Sequence, residues 1–378
     1  MVDMIEFIRS IEKRIESTLF KGNIITILGP RQAGKTTLSK KILKKYASME
    51  GYFDCQIAEV RKNMIPGRPD LLYEFLKGHK LVVLDEAQSV QDIGLVLKNF
   101  HDTYKDIQII ATGSSSFDLA NKVNEPLTGR VFEFTLLPLS VQEVQKVKKI
   151  ERKDLDELMV YGMYPAVVAA EHENEKREVL QNLATNYLYK DVFMFESIRN
   201  PRVFEQLVEL LAYQSGNLVS ISELSSGIGV SRPLIQKYLR LLEQSFIIKI
   251  LYSYSTNQRS EIKKRIKIHF YDTGIRNALV DVKTPLHQRQ DRGLLWESFF
   301  VSERIKKTTL EAFPSKLFFW QNKKGLEIDL IEKDGPILNA FECKWKDEKS
   351  SLAEFLKIYP QALTQTVSPA SYFIKNNI

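Results

Sequence analysis

Apolar residues at Ile5, Ile8, Ile11, Ile15 and Leu19 recur at helical spacing and predict an amphipathic helix at the start of the chain. It leads into residues 23–28, Asn-Ile-Ile-Thr-Ile-Leu, a run suited to a buried strand. After a Gly-rich turn the pattern predicts a helix over 37–46, a strand over 52–57 and a helix over 71–76. Residues 81–84, Leu-Val-Val-Leu, form a second pure apolar run; 94–104 read as helix and 107–111 as a strand ending at Thr112-Gly113-Ser114. Strands alternating with helices imply a parallel sheet covered on both faces.

The texture then changes. Residues 141–217 are charged and helix-periodic, with a break at Tyr161-Gly162-Met163-Tyr164-Pro165, and predict an all-helical connector. From 219 to 250 the chain reads as short helices and a turn, and from 257 it is basic and strand-like. A helix is expected from about 294, then strands over 316–320, 327–331 and 338–343, with Lys333-Asp334-Gly335-Pro336 as a hairpin turn. A length of 378 residues exceeds what one core usually holds, so several domains are expected. The apolar runs are short and interrupted, which predicts no membrane span, and the N-terminus lacks a secretory signal pattern. Cys55 and Cys343 are too few for a disulfide framework and fit a reducing compartment, so a cytoplasmic location is expected. The net charge of +7 permits an anionic partner without requiring one.

The turn after the first strand reads Gly29-Pro30-Arg31-Gln32-Ala33-Gly34-Lys35-Thr36, followed by Thr37, and is a complete phosphate-binding P-loop. The two glycines let the backbone curl so that amide hydrogens face phosphates, Lys35 reaches the β and γ oxygens, and Thr36 offers a hydroxyl to Mg2+. The helix that follows points its positive end at the anion. The strand at 81–84 then delivers Asp85 toward the metal and Glu86 beside the γ-phosphate, where it would activate water. ATP and Mg2+ are the expected ligands. Thr112, Ser114 and Ser115 could sense the γ-phosphate from the neighbouring strand tip, or be ordinary loop residues. Thr128-Gly129-Arg130 offers an arginine for transition-state charge, in cis or in trans, although a lone arginine more often sits in a surface ion pair.

Residues 221–224 open a short helix, Gly227-Ile228-Gly229 supplies a turn, and Ser231 caps a second helix from Arg232 to about Gln244, with Pro233 in its first turn. Leu234, Tyr238, Leu241 and Leu242 lie on one face; Arg232, Gln236, Lys237 and Arg240 are available to another. This is the texture of a winged-helix recognition helix, a module that also serves protein contacts. Arg259, Lys263, Lys264, Arg265 and Lys267 cluster where the wing should be and would contact phosphates of double-stranded DNA; lysines guarding an edge strand would look the same. Near the C-terminus, strand alternation puts Asp329 on one strand and Glu342 with Lys344 on one face of the next, while a helix could supply Glu297. Carboxylates so grouped would bind Mg2+ and Lys344 would activate water for phosphodiester cleavage; cross-strand ion pairs are the alternative.

The order of these motifs resembles the archaeal and bacterial ATPases of the AAA superfamily whose C-terminal half is the domain of unknown function 4143. The resemblance rests on the P-loop, Leu84-Asp85-Glu86-Ala87-Gln88, the Thr-Gly-Ser-Ser stretch from 112, Leu127-Thr128-Gly129-Arg130 and Leu137-Pro138-Leu139-Ser140. Later pieces are Tyr271-Asp272-Thr273-Gly274, Trp296-Glu297, and the stretches around Asp329 and Glu342. It implies Ser114 as a sensor, strengthens Arg130 as a finger, and implies a C-terminal fold similar to PD-(D/E)xK nucleases. The expected architecture is α/β: a P-loop ATPase domain over 1–140, a helical connector over 141–217, a winged helix over 218–270 and a nuclease-like, restriction-endonuclease-like α/β domain over 271–378. The leading expectation is an ATPase that couples nucleotide state to DNA engagement, with or without nuclease activity. The alternatives are a STAND-like signalling ATPase whose C-terminal module is a protein scaffold, and a homo-oligomeric translocase.

Overall fold

The computed structural model describes residues 5–114, 127, 129–187, 198, 200–255, 265–282, 284–346 and 351–375. Its first sheet holds β1 (Ile24–Leu28), β2 (Tyr52–Asp54), β3 (Leu81–Asp85), β4 (Gln108–Gly113) and β5 (Val131–Thr135), all parallel, in the order β2-β3-β4-β1-β5. Every residue of β1, β3 and β4 is buried, which is why these strands read as unbroken apolar runs. Around them lie α1 (Glu12–Glu16), α2 (Lys35–Tyr46), α3 (Ala58–Arg61), α4 (Pro69–Leu76) and α5 (Ile93–Thr103).

Two boundaries differ from the pattern. The stripe from Ile5 to Leu19 becomes helical only at Glu12; Ile5 and Ile8 are exposed, and the segment before the helix is held by the buried side chain of Arg9. Strand β2 stops at Asp54 because the Asp54 carboxylate accepts from the Gln56 amide at 2.8 Å and turns the chain.

The connector contains α6 (Val141–Gln145), α7 (Arg152–Tyr161), α8 (Pro165–Ala169), α9 (Glu173–Asn182), a π-helical turn Leu183–Tyr187 and α10 (Pro201–Tyr213). Ser140 and Glu143 form a reciprocal capping box that starts α6. The break after α7 is a docking joint. Gly162 has φ 76°, the Met163 amide donates to Asp272 Oδ2 at 2.7 Å, and a Cβ on Gly162 would overlap Asp272 Oδ1. Gly274 lies equally close to the Tyr161 carbonyl. The Tyr161–Pro165 and Tyr271–Gly274 motifs thus belong to one contact, where Asp272 also caps α13 (Thr273–Leu279) through the Gly274 and Ile275 amides.

After α10 come β6 (Leu218–Val219), α11 (Ile221–Ile228), α12 (Arg232–Gln244), β7 (Ile248–Ser253) and β8 (Ile266–Phe270), with β8 antiparallel to both β6 and β7. Two helices thus precede an antiparallel hairpin, with β6 on its outer side. The core of this part holds Phe204, Leu224, Ile235, Tyr238, Leu239 and Leu242, each burial of this kind contributing about 1.5–3 kcal/mol. The C-terminal part comprises α14 (Arg292–Thr309), β9 (Lys316–Gln321), β10 (Glu327–Asp334), β11 (Ile337–Cys343), α15 (Leu352–Ile358), β12 (Leu363–Val367) and α16 (Pro369–Lys375). Strand β7 pairs in parallel with β9, so the segments expected as two separate modules share one seven-stranded sheet, β12-β11-β10-β9-β7-β8-β6. A continuous apolar cluster joins the ATPase strands, Leu155 and Met159 of α7, and Trp296, Phe299 and Phe300 of α14.

Candidate nucleotide site and the C-terminal carboxylate cluster

The P-loop leaves β1 at Gly29, where the following chain passes so close that a Cβ would overlap the Leu136 carbonyl. Gln32 and Gly34 both have positive φ, 58° and 98°, and the loop enters α2 with Gly34 at its N-cap. Lys35 is buried, and its ammonium donates to the Gly29 and Pro30 carbonyls at 2.9 and 2.8 Å. Pro30, Arg31, Ala33 and Thr37 complete the loop and the first turn of α2. The Thr36 hydroxyl donates to Asp85 Oδ2 at 2.8 Å, so a hydroxyl and a carboxylate meet where β3 ends and α2 begins. Oxygen donors of this kind suit Mg2+, which when bound would neutralise the β and γ phosphate charge.

Asp85 also accepts from the hydroxyls of Tyr52, at 2.5 Å, and Thr112. Burial together with the Asp85 contact raises the Tyr52 hydroxyl well above its ordinary value, so it stays a donor. Glu86 lies in the left-handed region at φ 51°; its amide donates to Thr112 Oγ1 at 3.2 Å, and its carboxylate accepts from Gln88 Nε2. The same Gln88 amide reaches Ser114 Oγ at 3.1 Å. Asp85, Glu86 and Ser114 are therefore brought together, through Thr112 and Gln88. Ser115 and Thr128 lie outside the described residues.

Arg130 does not join them. The register Ile24↔Val131 and Leu28↔Thr135 puts it at the start of β5, beside the end of β1 opposite the P-loop. Five strand residues separate the two ends, roughly 16 Å. Its guanidinium pairs there with Asp102 at 2.7 Å, so of the cis and trans roles the sequence left open, the direction of the strand does not support the one in cis.

On α12, Arg232, Gln236, Lys237 and Arg240 are exposed while Ile235, Tyr238 and Leu239 are buried, which is the two-faced helix expected. Arg265 is exposed at the start of β8; Arg259, Lys263 and Lys264 lie outside the described residues. Lys267 departs from expectation. It is 1% exposed, and its ammonium points inward to Glu297 Oε1 at 2.7 Å, to Asp329 Oδ1 at 3.4 Å and to Glu327.

A bulge explains half of this arrangement. Ile328 and Ile331, three residues apart on β10, both pack in the cluster around Phe355, so the two residues between them turn toward α14. Asp329 thereby meets Glu297. On β11, Phe341 packs against Phe300 of α14 with the rings tilted whereas Ala340 packs with Phe355, so Glu342 shares Ala340's face. There Glu342 accepts from the Ser351 amide at 2.7 Å and pairs with Lys344 at 3.0 Å. The expected Mg2+ set of Glu297, Asp329 and Glu342 with Lys344 is thus split across the sheet, and an ammonium stands among the carboxylates on the α14 side. Among the described residues no group of three His, Cys, Asp or Glu side chains is placed to hold a metal.

Burial works against the Lys267 charge, but Glu297, Asp329 and Glu327 hold its pKa above the ordinary value. Burial and Asp329 push Glu297 up to about 8 against the pull of Lys267. His269, two residues along β8, is fully enclosed, with Nδ1 3.2 Å from Ser298 Oγ and Nε2 3.8 Å from Glu297; burial and Lys267 lower it to about 3, so it is neutral. Glu327 and His269 escaped the sequence reading, and Lys267 was assigned there to the wing. The one available signal was the alternation of Lys267 and His269 with Ile266, Ile268 and Phe270, which looks like a half-exposed strand although all five residues are buried.

The strand order, the P-loop and the acids at the tip of β3 define a P-loop NTPase of AAA type. Comparison with known families agrees: residues 21–145 match the AAA domain, 152–286 a domain of unknown function (DUF8612) and 292–375 the domain of unknown function DUF4143. The chain is an AAA-superfamily ATPase with a C-terminal DUF4143 region. An uncharacterized protein of Mycobacterium tuberculosis is 26% identical over 332 residues, covering 86% of this chain and 71% of its own. An uncharacterized protein of Methanocaldococcus jannaschii is 28% identical over 345 residues, covering 85% and 74%. The Walker-type ATPase of Pyrococcus abyssi shares the fold, with a TM-score of 0.53, 17% identity, and coverage of 72% of this chain and 96% of that one.

Proposed function

We propose that this protein hydrolyses ATP with Mg2+ and uses its nucleotide state to govern a DNA-engaging winged helix, with the C-terminal module acting as a rigid extension of that helix's sheet. The observation that carries the coupling is a contact beside the ATPase core. Lys306 of α14 donates to the Leu139 carbonyl at 2.8 Å, and Glu303 accepts from the Val141 amide at 2.9 Å, fastening the C-terminal module to the segment just after β5.

At the ATP site Lys35 would leave the loop carbonyls for phosphate oxygens, and Thr36 with Asp85 would hold the metal. Glu86 would orient the attacking water and take its proton once Gln88 releases it, with Ser114 as the second partner of Gln88. Arg130 can serve as a finger only in a second copy of the chain. The ammonium of Lys267 among Glu297, Glu327 and Asp329 supports a scaffold over a working nuclease. Among the described residues no helix is long and apolar enough to cross a membrane, and we place the protein in the cytoplasm on its two free thiols.

DNA contact is tested by fluorescence anisotropy on a labelled duplex at several salt concentrations. Charge reversal at Arg232 and Arg240 together is expected to weaken binding and to lower the slope of log K against log salt by about 2. A slope and an affinity equal to the parent's would sink the DNA reading and favour a signalling switch that uses the same helix on a protein.

A further inference from the structure

We infer that Arg9 is a positioning residue of the phosphate-binding loop and the link that carries the state of that loop to the connector; this rests on the ATPase reading above. Arg9 lies before the residues that match the AAA domain, on the non-helical segment ahead of α1. It is 7% exposed, and each of its guanidinium nitrogens has a separate partner. Nη1 donates to the Ala33 carbonyl at 2.5 Å, Nη2 to the Leu137 carbonyl at 2.6 Å and Nε to Glu143 Oε1 at 3.3 Å. Burial disfavours the charge, and Glu143 offsets part of that cost.

The first bond acts on the loop. Ala33 sits between Gln32 and Gly34, the two residues with positive φ at which the P-loop reverses hand. A peptide is planar and trans, so its carbonyl and the next amide hydrogen point in opposite directions. Holding the Ala33 carbonyl toward Arg9 therefore aims the Gly34 amide away from Arg9, across the loop. A guanidinium fork fixes that plane; a flexible ammonium does not.

The other two bonds act outward. Leu137 lies in the turn after β5 and Glu143 in the first turn of α6, and the Ser10 amide also donates to Glu143, at 2.6 Å. Between them lie Leu139 and Val141, the partners of Lys306 and Glu303. A shift of the Ala33 peptide on phosphate binding thus reaches α14 through buried hydrogen bonds joined by the short backbone segment 137–143.

The test uses the full chain and two variants, Arg9→Lys and Glu143→Gln. Binding of mant-ATP with Mg2+ is titrated, and hydrogen–deuterium exchange is measured over 29–36, 137–145 and 303–306 with and without saturating ATP. Arg9→Lys is expected to bind at least about tenfold more weakly and, at saturation, to lose the ATP-induced protection that the parent shows at 137–145 and 303–306. Glu143→Gln keeps the capping geometry, so it also serves if the lysine variant does not fold; it is expected to bind within about threefold of the parent but with reduced protection at 137–145. Parent-like binding in Arg9→Lys overturns the positioning role. Full protection at 137–145 in either variant, or none there in a parent that binds, overturns the link. A parent that does not bind mant-ATP is a different outcome, since it removes the ATPase reading itself.

Discussion

Replacing Lys267 with methionine keeps most of the side-chain volume and removes the one cation that Glu297, Glu327 and Asp329 share. Breaking a buried ion pair from one side costs about 3–5 kcal/mol, because the stranded charges keep their desolvation penalty. Here the cost should lie near the lower figure, since Glu297 is already pushed up to about 8 and takes a proton readily near neutrality. About 3 kcal/mol corresponds to a fall of roughly 6–12 °C in the melting midpoint of a domain this large. The double change Lys267→Met with Asp329→Asn removes the cation together with one of its carboxylate partners and should recover part of the loss. Differential scanning fluorimetry with and without millimolar Mn2+ extends the test. The parent should be indifferent to Mn2+, whereas Lys267→Met, with its carboxylates uncovered, should gain about 1.4 kcal/mol when Mn2+ reaches ten times its Kd. A parent that is itself stabilised by Mn2+, in a way that Asp329→Asn abolishes, would restore the metal centre in place of the ion cluster.

Gly274→Ala should cost about 3 kcal/mol and Gly162→Ala a similar amount, measured by urea unfolding, because each new Cβ meets fixed atoms of the joint between Tyr161 and Asp272; a loss under 0.5 kcal/mol would mean the joint yields freely. His269 binds fewer protons folded than unfolded between its ordinary 6.5 and its folded value of about 3, so its contribution is complete above pH 6.5 and falls by about 1.4 kcal/mol per unit below it. Glu297 slopes the opposite way from 4.5 to about 8, so the quantity to read is the difference between the parent and His269→Asn, which should change by about 2 kcal/mol between pH 7 and pH 5; a constant difference contradicts the assignment. Arg130→Ala should hydrolyse ATP within twofold of the parent at high dilution, since the side chain sits at the far end of β5 on Asp102. A large loss that appears only as protein concentration rises would identify a finger acting between copies.

The ATPase half was legible because its strands are buried on both faces and its phosphate loop is local in sequence: β1, β3 and β4 appear as unbroken apolar runs, and the loop between β1 and α2 brings Thr36 to Asp85 at the end of β3. The two-faced helix at Arg232–Gln244 was legible for the same reason, a periodicity contained in one element. What the sequence hid depends on contacts between distant segments. Arg9 reads as one charge in a mixed helical stripe, and only the fold carries it to Ala33 and Glu143. Lys267 reads as one more cation of a wing, because nothing in Ile-Lys-Ile-His-Phe says that both faces of β8 are covered. The C-terminal acids were misjudged through a single bulge: strict alternation treats Asp329 and Glu342 as partners, whereas the extra residue in β10 keeps Asp329 on the α14 face and leaves Glu342 on the other.

If nucleotide state governs the proposed winged helix, duplex affinity must follow the occupancy of the ATP site. Glu86→Gln removes the expected base but leaves Lys35, Thr36 and Asp85 in place, so it should bind ATP without turning it over. The decisive measurement is the duplex affinity of that variant at fixed salt, nucleotide-free and with saturating ATP and Mg2+. Coupling between the two sites should change it by about tenfold or more, equivalent to about 1.4 kcal/mol, with no change when Lys35→Ala is added. Equal affinities in both states, with ATP bound, would contradict it.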